Sequence, residues 1–244
     1  MSRNCLHLMS CRTPSVQILL ASAVLMACGR SGTPAADAAR APATKPTADG
    51  SVAARAPQDS ISVLADRGRI LGDSNAAVWV VMASDFQCPY CKAWHDARFQ
   101  PLLNSYVKTG RVKLAFLNMP LSMHPNAVPA AEAAMCASVQ GKFWPMHEAL
   151  FATQAGWETM PDPRPRFDSL AAANGVADMA AWRACFDGHL TRPLIQADHD
   201  RASSRGVNST PYFFVGAQRD SGADANLAPA IDAALAAAGK KPAS

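Results

Sequence analysis

The chain has 244 residues, of which 49% are hydrophobic and 17% are charged, a composition typical of a globular protein with one large or two small domains. Its formal net charge is +4, and loss of Arg3 and Arg12 with a leader segment lowers that charge to +2. Such a balanced charge argues against a basic surface for nucleic acid, so no nucleic-acid partner is predicted.

The first residues have the pattern of a targeting segment. Two arginines precede an apolar run, residues 16–27, that is shorter than the ~20 residues a membrane-spanning helix needs, so residues 1–27 are predicted to be a cleaved signal peptide. The sequence LMACG that ends at residue 29 resembles the lipobox of bacterial lipoproteins. This resemblance implies acylation of Cys28 and a lipid anchor in the periplasm or cell envelope. The alternative is ordinary secretory cleavage with Cys28 as an incidental thiol.

Residues 28–60 are rich in Ala, Pro, Thr, Gly and Ser and contain almost no large apolar side chain. Such a segment cannot bury enough surface to offset the entropy lost on ordering. We therefore predict a disordered tether over residues 28–60 and a folded domain over residues 61–240.

A strand, a helix and a second strand are predicted at the start of the domain. Val78–Met82 is a continuous apolar run of strand length, and Val112–Asn118 is a second strand. The residues between them predict a helix over Cys88–Lys108, which Pro101 is expected to kink or interrupt. A strand–helix–strand unit gives a parallel strand pair, which places the CxxC motif that begins at Cys88 at the junction of strand and helix.

The middle of the chain is predicted to be helical, without a fixed repeat. The predicted helices are Asn126–Val139, Phe143–Thr153, Phe167–Ala173, Asp178–Phe186 and Leu190–Ser204.

A strand over residues 211–216, a short strand near Gln218 and a helix over residues 227–238 complete the predicted elements. The predicted fold class is α/β, with two halves at about residues 61–122 and 206–240 and an all-helical insertion at about residues 123–205.

The CxxC motif carries the candidate chemistry. A helix N-terminus offers unpaired N–H groups and a partial positive charge, and both favour a thiolate at Cys88, which is the candidate nucleophile and is expected to be reachable. Cys91 lies one turn later, is expected to be more buried, and would resolve a mixed disulfide. Pro89 suits the first helical turn because its missing N–H needs no partner. The alternatives are a structural disulfide or half of a metal site. No second close Cys or His pair is present; His95, His124 and His147 could assist a metal, but their spacing does not demand it.

Four cysteines remain if Cys28 is acylated and the leader is removed. In an oxidising compartment an even number suggests two disulfides; three pairings are possible, and Cys88 with Cys91 is favoured by proximity. Cys136 and Cys185 are then predicted to form a structural disulfide, the alternative being two buried, inert thiols.

Two segments resemble the DsbA-like oxidoreductases of thioredoxin fold. SDFQCPYC, residues 84–91, is similar to the active-site entry of that family, and GVNSTPYFF, residues 206–214, is similar to its loop before a strand. Residues 140–151 resemble its inserted helices, and the likeness extends over about residues 70–238 in the family's order. The resemblance implies a thioredoxin-like fold with an inserted helical subdomain.

The resemblance also implies the roles of individual residues. The Thr210–Pro211 peptide would be cis and face the cysteines, with the Pro211 ring blocking metal access and Thr210 offering backbone groups to an extended substrate peptide. Pro89 and Tyr90 would tune the redox potential. The implied partners are exported proteins that contain cysteine and a membrane redox partner for recycling; no cofactor and no metal are predicted.

The chain departs from the family at one position. Six residues before the first cysteine the family carries a buried acid that transfers a proton to the resolving thiol, whereas this chain has Met82; Asp85, Lys92 or water could take that role.

The predicted function is disulfide exchange with exported proteins, by oxidation, reduction or isomerisation, with the direction left open. The alternative is a copper-handling or client-binding lipoprotein that keeps the fold, because fold alone does not determine function.

Overall fold

The computed structural model describes residues 57–239, with side chains from residue 61 onwards. The predicted signal peptide, the predicted acylation site at Cys28 and most of the predicted tether lie outside the described residues. Helix α1 spans Pro57–Gly68 and therefore begins four residues before the predicted start of the domain. Among residues 57–239, no helix has both the length and the apolar character that crossing a membrane requires.

A sheet of five strands forms the centre of the described part of the chain. Its strands are β1 (Ile70–Leu71), β2 (Val78–Ser84), β3 (Val112–Asn118), β4 (Tyr212–Val215) and β5 (Gln218–Ser221), in the order β1-β3-β2-β4-β5. β2 and β3 are parallel, and every other neighbouring pair is antiparallel. The N-terminal and C-terminal halves of the domain thus meet directly, because Met82 of β2 is in register with Phe116 of β3 and with Phe213 of β4.

The α-helix after the CxxC motif is interrupted before and after the turn that contains Pro101, as predicted, but the interruptions are π-helical and the helical turns continue to residue 107. It consists of α2 (Pro89–Trp94), a π-helical stretch (His95–Phe99), α3 (Gln100–Leu102) and a second π-helical stretch (Leu103–Val107). Proline lacks the N–H that an α-helical turn requires, and wider turns before and after it let the chain keep its helical course.

The predicted insertion is helical throughout, with bounds close to those expected. Its elements are α4 (Ala127–Ser138), α5 (Phe143–Ala152), a single 3₁₀ turn (Gln154–Gly156), α6 (Arg164–Ala173), α7 (Met179–Asp187) and α8 (Arg192–Ser203). After β5, α9 (Ala228–Gly239) closes the fold. The predicted α/β architecture with helices inserted between two halves is confirmed.

The sheet and the insertion share one apolar core. Phe86, just after β2, stacks on Phe116 of β3 with ring centroids 4.9 Å apart, and it also contacts Phe151 of α5 at 5.2 Å. Burying such aromatic side chains contributes about 1.5–3 kcal/mol each, so this contact is a main reason why α5 packs on the sheet. β2 is less completely buried than its apolar sequence predicts, since Trp79 is 41% exposed and lies beneath the Lys113 ammonium group.

Candidate active site

The CxxC motif lies where β2 ends and α2 begins. Cys88 is the N-cap residue of α2, with an extended backbone (φ −69°, ψ 124°), and Pro89 occupies the first turn. The Cys88 N–H donates to the Asp85 carbonyl oxygen at 3.2 Å, and the Cys88 carbonyl oxygen accepts the first helical hydrogen bond, from the Lys92 N–H at 3.1 Å. This geometry holds the Cys88 sulfur at the positive end of the helix and places Cys91 one turn further on.

Cys88 and Cys91 are free thiols in the structure, which is therefore that of the reduced form, not the disulfide favoured by proximity in the sequence. Cys91 is 1% exposed and Cys88 is 3% exposed. Cys91 is the more buried of the two, as expected for the resolving cysteine, and Cys88 is the less buried, as expected for the nucleophile. Cys88 is nevertheless far less open than the sequence suggests, because Thr210 lies against its sulfur.

The environment of Cys88 favours its thiolate. The pKa of Cys88 is lowered to about 6, chiefly because the Cys91 thiol donates a hydrogen bond to its sulfur; burial opposes this shift, and the Thr210 side chain and the Cys91 and Tyr90 backbone N–H groups add to it. A thiol of that pKa is about nine-tenths ionised at pH 7, against a few per cent for an ordinary cysteine.

The environment of Cys91 does the opposite. Burial raises the pKa of Cys91 well above its ordinary value, and the hydrogen bond to Cys88 and the charge of that thiolate raise it further. The Asp85 backbone N–H, 3.5 Å from the Cys91 sulfur, only partly offsets these effects. One cysteine is therefore prepared as a nucleophile, while the other keeps its proton until a mixed disulfide forms.

Thr210 and Pro211 lie against the CxxC motif, on the side of β4. The peptide bond between them is cis. The Cys88 thiol donates to the Thr210 carbonyl oxygen, with sulfur and oxygen 3.6 Å apart. The Thr210 hydroxyl is buried and has no hydrogen-bond partner among the described residues, which leaves it available to the ionised sulfur.

Pro89 and Tyr90 form the exposed edge of the motif. Both side chains face solvent, and Tyr90 is 64% exposed. A large, exposed aromatic ring next to a reactive sulfur offers contact area to a polypeptide substrate, in addition to the redox tuning predicted for this dipeptide.

Asp85 and Lys92 differ sharply as replacements for the missing buried acid. Lys92 points away into an ion pair with Asp96, with Nζ and Oδ2 2.7 Å apart. The Asp85 carboxylate is fully buried; it accepts from the Leu121 N–H at 2.9 Å and lies 2.6 Å from Nδ1 of His124. The Asp85 backbone N–H contacts the Cys91 sulfur, while its carboxylate contacts the Gln87 N–H, the Leu121 N–H and His124.

The inserted helices brace the loop that carries Cys88, a feature that the sequence does not reveal. Gln154 donates from Nε2 to the carbonyl oxygens of Phe86 and Cys88, at 2.7 and 3.2 Å. Gln87 accepts from the Asn126 N–H at 2.6 Å. These partners are 39 to 68 residues apart in the chain and form no local motif, so no sequence signal could have identified them.

Cys136 of α4 and Cys185 of α7 form a disulfide, with Cα atoms 5.8 Å apart. Both residues are buried within the insertion. The bond holds two inserted helices together and lies outside the CxxC motif.

The lowered pKa of Cys88 predicts the pH dependence of its reactivity. In the reduced full chain, the rate of iodoacetamide alkylation at Cys88 should rise with pH with a midpoint near pH 6, as the thiolate forms. The pKa of Cys88 is lower in the folded protein than in the unfolded chain, so ionisation of this thiol adds to the free energy of unfolding of the reduced protein. This contribution is complete above the pKa of the unfolded thiol and is lost as the pH falls through about 6. Mass spectrometry of the peptide that contains Cys88 measures the rate, and a midpoint above pH 8 would contradict the assignment.

Comparison with known proteins agrees with this geometry. The family model described as thioredoxin matches residues 65–233, which is more than half of the chain, and the chain belongs to the thioredoxin family. The oxidised crystal structure of BdbD from Bacillus subtilis superposes with a TM-score of 0.63 at 24% sequence identity, covering 70% of this chain and 94% of that one. The predicted thioredoxin-like fold with an inserted helical subdomain, as in the DsbA group, is confirmed.

Curated relatives fall into two groups. The Na(+)/H(+) antiporter NhaA 3 of Salinispora tropica is 36% identical over 159 residues, which are 64% of this chain and 23% of the antiporter. Disulfide bond formation protein D of Bacillus subtilis is 24% identical over 147 residues, which are 60% of this chain and 66% of that protein. The chain thus spans about a quarter of the length of the antiporters it matches.

Proposed function

We propose that this chain is a thiol–disulfide oxidoreductase that acts on exported proteins through the Cys88–Cys91 pair. The observation that carries the proposal is the opposite shift of two neighbouring thiols: the pKa of Cys88 falls to about 6 and that of Cys91 rises. A structural disulfide does not require such a difference, whereas an exchange reaction uses both shifts.

The reduced pair would react with a substrate disulfide in two steps. The Cys88 thiolate attacks one substrate sulfur, a bond forms between the two sulfurs, the substrate disulfide breaks, and the other substrate sulfur leaves as a thiolate. Cys91 then loses its proton and attacks the Cys88 sulfur, which forms the Cys88–Cys91 disulfide and releases the substrate as a dithiol. Oxidation of a substrate dithiol is the same sequence in reverse.

The energetics favour the oxidising direction. A low pKa of Cys88 stabilises the reduced pair relative to the disulfide, and a pair whose reduced form is stabilised is a stronger oxidant. The name of the Bacillus subtilis relative, disulfide bond formation protein D, supports the same direction. We therefore infer that the chain forms disulfides in its substrates.

The place of action is proposed to be outside the cytoplasm. The buried Cys136–Cys185 disulfide supports this location, because such bonds persist in oxidising compartments. The apolar leader supports export, and the LMACG sequence supports acylation of Cys28 and attachment to a membrane in the periplasm or cell envelope. The pair would be reoxidised by a membrane redox partner, and the substrates would be exported proteins that contain cysteine.

The alternative of a copper-handling or client-binding lipoprotein gains no support from the described residues. Pro211 is cis and its neighbour Thr210 covers the Cys88 sulfur, so a metal ion has little access to that sulfur.

Equilibration with glutathione redox buffers tests the proposal. We expect one two-electron transition of the Cys88–Cys91 pair, with a potential between about −120 and −200 mV, the range of oxidising and isomerising thioredoxin-fold proteins. Alkylation and mass spectrometry report the fraction reduced, and a Cys136→Ala/Cys185→Ala variant checks that the signal comes from the CxxC motif. A potential near that of thioredoxin, about −270 mV, would overturn the oxidising direction, and absence of any transition would overturn the proposed activity.

A further inference from the structure

Three potential metal ligands meet where the helix of the CxxC motif packs on α5. They are His95, four residues after Cys91, with His147 and Glu148 of α5, and their ligand atoms lie within 4.8 Å of one another. Nε2 of His95 is 3.3 Å from Oε1 of Glu148, and Nδ1 of His147 is 3.9 Å from the same oxygen. Neither cysteine belongs to this cluster, so it is separate from the active site.

The polar atoms of the cluster lack hydrogen-bond partners. His147 is fully buried, and neither of its ring nitrogens has a partner among the described residues. Nε2 of His95 and Oε1 of Glu148 are likewise buried without a hydrogen bond. Buried polar atoms almost always find a partner, and three residues that each bring an unsatisfied atom to within 4.8 Å of the others indicate a missing ligand.

The surroundings of His147 exclude a protein partner. Its ring contacts the aromatic rings of Phe86, Phe99, Phe116, Phe143, Trp144 and Phe151. The His95 ring also contacts it, with ring centroids 5.2 Å apart. The two imidazoles therefore lie side by side in an apolar setting, and imidazole nitrogens are common metal ligands.

His95 is oriented towards the cluster by Asp96. Nδ1 of His95 lies 3.2 Å from Oδ1 of Asp96, and Lys92 holds the other carboxylate oxygen at 2.7 Å. A hydrogen bond from Nδ1 to the Asp96 carboxylate leaves Nε2 as the nitrogen that faces the cluster, where it lies 3.3 Å from Oε1 of Glu148. Metal-binding histidines commonly have this carboxylate on their second nitrogen.

We propose that His95, His147 and Glu148 bind one zinc ion. Tetrahedral zinc with bonds of about 2.1 Å requires ligand atoms about 3.4 Å apart, so small side-chain movements bring all three into place. Two imidazoles and one carboxylate suit zinc better than calcium or magnesium, which prefer oxygen, and the absence of a thiolate disfavours Cu(I).

The fourth position of the zinc ion would be taken by water. A cleft open to solvent is lined in part by Phe99, Trp144 and Glu148 and thus borders the cluster at Glu148. The ion would join the helix that follows Cys91 to the insertion. This site differs from the sequence-based expectation of no metal, because His95 and His147 are too far apart in the chain to form a motif.

Zinc binding by the full chain tests the proposal. Cys88→Ser and Cys91→Ser are introduced first, so that the active-site thiols cannot bind the ion, and Zn²⁺ uptake is measured by equilibrium dialysis with metal analysis. We expect one tightly bound equivalent. Glu148→Gln should weaken its affinity about 100-fold or more, and the matched control Glu158→Gln should leave it unchanged.

Two further measurements keep the test decisive if a variant is poorly folded. His147→Phe suits the aromatic surroundings and should fold, yet it should lose the ion. Zn²⁺ should raise the melting temperature of the Cys88→Ser/Cys91→Ser protein and of its Glu158→Gln form, but not of its Glu148→Gln form. Absence of a bound equivalent, or equal uptake by the Glu148→Gln and Glu158→Gln forms, would overturn the proposal.

Discussion

Replacing Cys88 by serine is expected to lower the rate of disulfide exchange with a cysteine-containing peptide by about 10³-fold or more. The reaction depends on a thiolate, and a serine hydroxyl at the same position neither ionises near pH 7 nor forms a sulfur–sulfur bond. Removal of a nucleophile generally has effects of at least this size. The rate is measured by oxidation of a fluorescent dithiol peptide at pH 7 with the full chain as oxidant.

Cys91→Ser provides the matched comparison. It keeps the nucleophile but removes the resolving thiol, so it is tested with the disulfide form of the peptide: the Cys88 thiolate attacks one peptide sulfur, the other leaves as a thiolate, and the Cys88–peptide adduct should accumulate and be visible as an added mass. A separate Cys91→Ala variant removes the hydrogen-bond donor, which serine would keep, and should raise the pKa of Cys88, since that bond is the largest cause of its lowering. A Cys88→Ser protein with undiminished exchange, or a Cys91→Ser protein that forms no adduct, would refute the assigned roles.

Removing the Cys136–Cys185 disulfide should have the largest effect on stability. The bond joins residues 49 apart in sequence, and closing a loop of about 50 residues is worth about 4 kcal/mol in the chain-entropy model. The Cys136→Ala/Cys185→Ala protein should therefore unfold at a clearly lower urea concentration, with a free energy of unfolding lower by about that amount.

A Cys88→Ala/Cys91→Ala protein is the control for this measurement. It carries the same number of substitutions at buried cysteines, but these are free thiols in the structure, so it should lose much less stability. Equal losses in the two double variants would show that the Cys136–Cys185 bond contributes no more than cysteine packing. Non-reducing mass analysis before denaturation establishes which bonds are present.

The sequence predicts the elements around the CxxC motif well because their signals are local. The apolar run at residues 78–82 identifies β2, and the bounds predicted for β3 agree with Val112–Asn118. The Ala-rich segments of the insertion identify its helices to within a few residues. The order of these elements then gives the fold class.

What the sequence could not predict depends on contacts between distant residues. β1 has only two residues, and it exists because Ile70 and Leu71 pair with β3 more than 40 positions later. Gln154 looks like an ordinary polar residue until the insertion brings it to the Cys88 carbonyl oxygen. His147 likewise lies in an unremarkable helical sequence, and only packing isolates it among aromatic rings.

Pro101 shows a different limit. Its lack of an N–H predicts a kink or interruption of the α-helix, and π-helical turns do interrupt it on both sides, but the sequence does not predict that helical turns continue beyond them. The missing N–H of proline disturbs the α-helical hydrogen-bond pattern, as expected, and the wider π-helical turns on either side accommodate that disturbance.

The pairing of β2 with β4 has a consequence for the order of events during folding. Cys88 lies in the N-terminal half of the domain, but Thr210, one of the groups that lowers its pKa, arrives 122 residues later. A chain that has emerged only as far as α8 lacks both β4 and that hydroxyl. The Cys88 sulfur thus acquires the last of the contacts that lower its pKa, together with the cover that Thr210 provides, only once β4 has paired with β2.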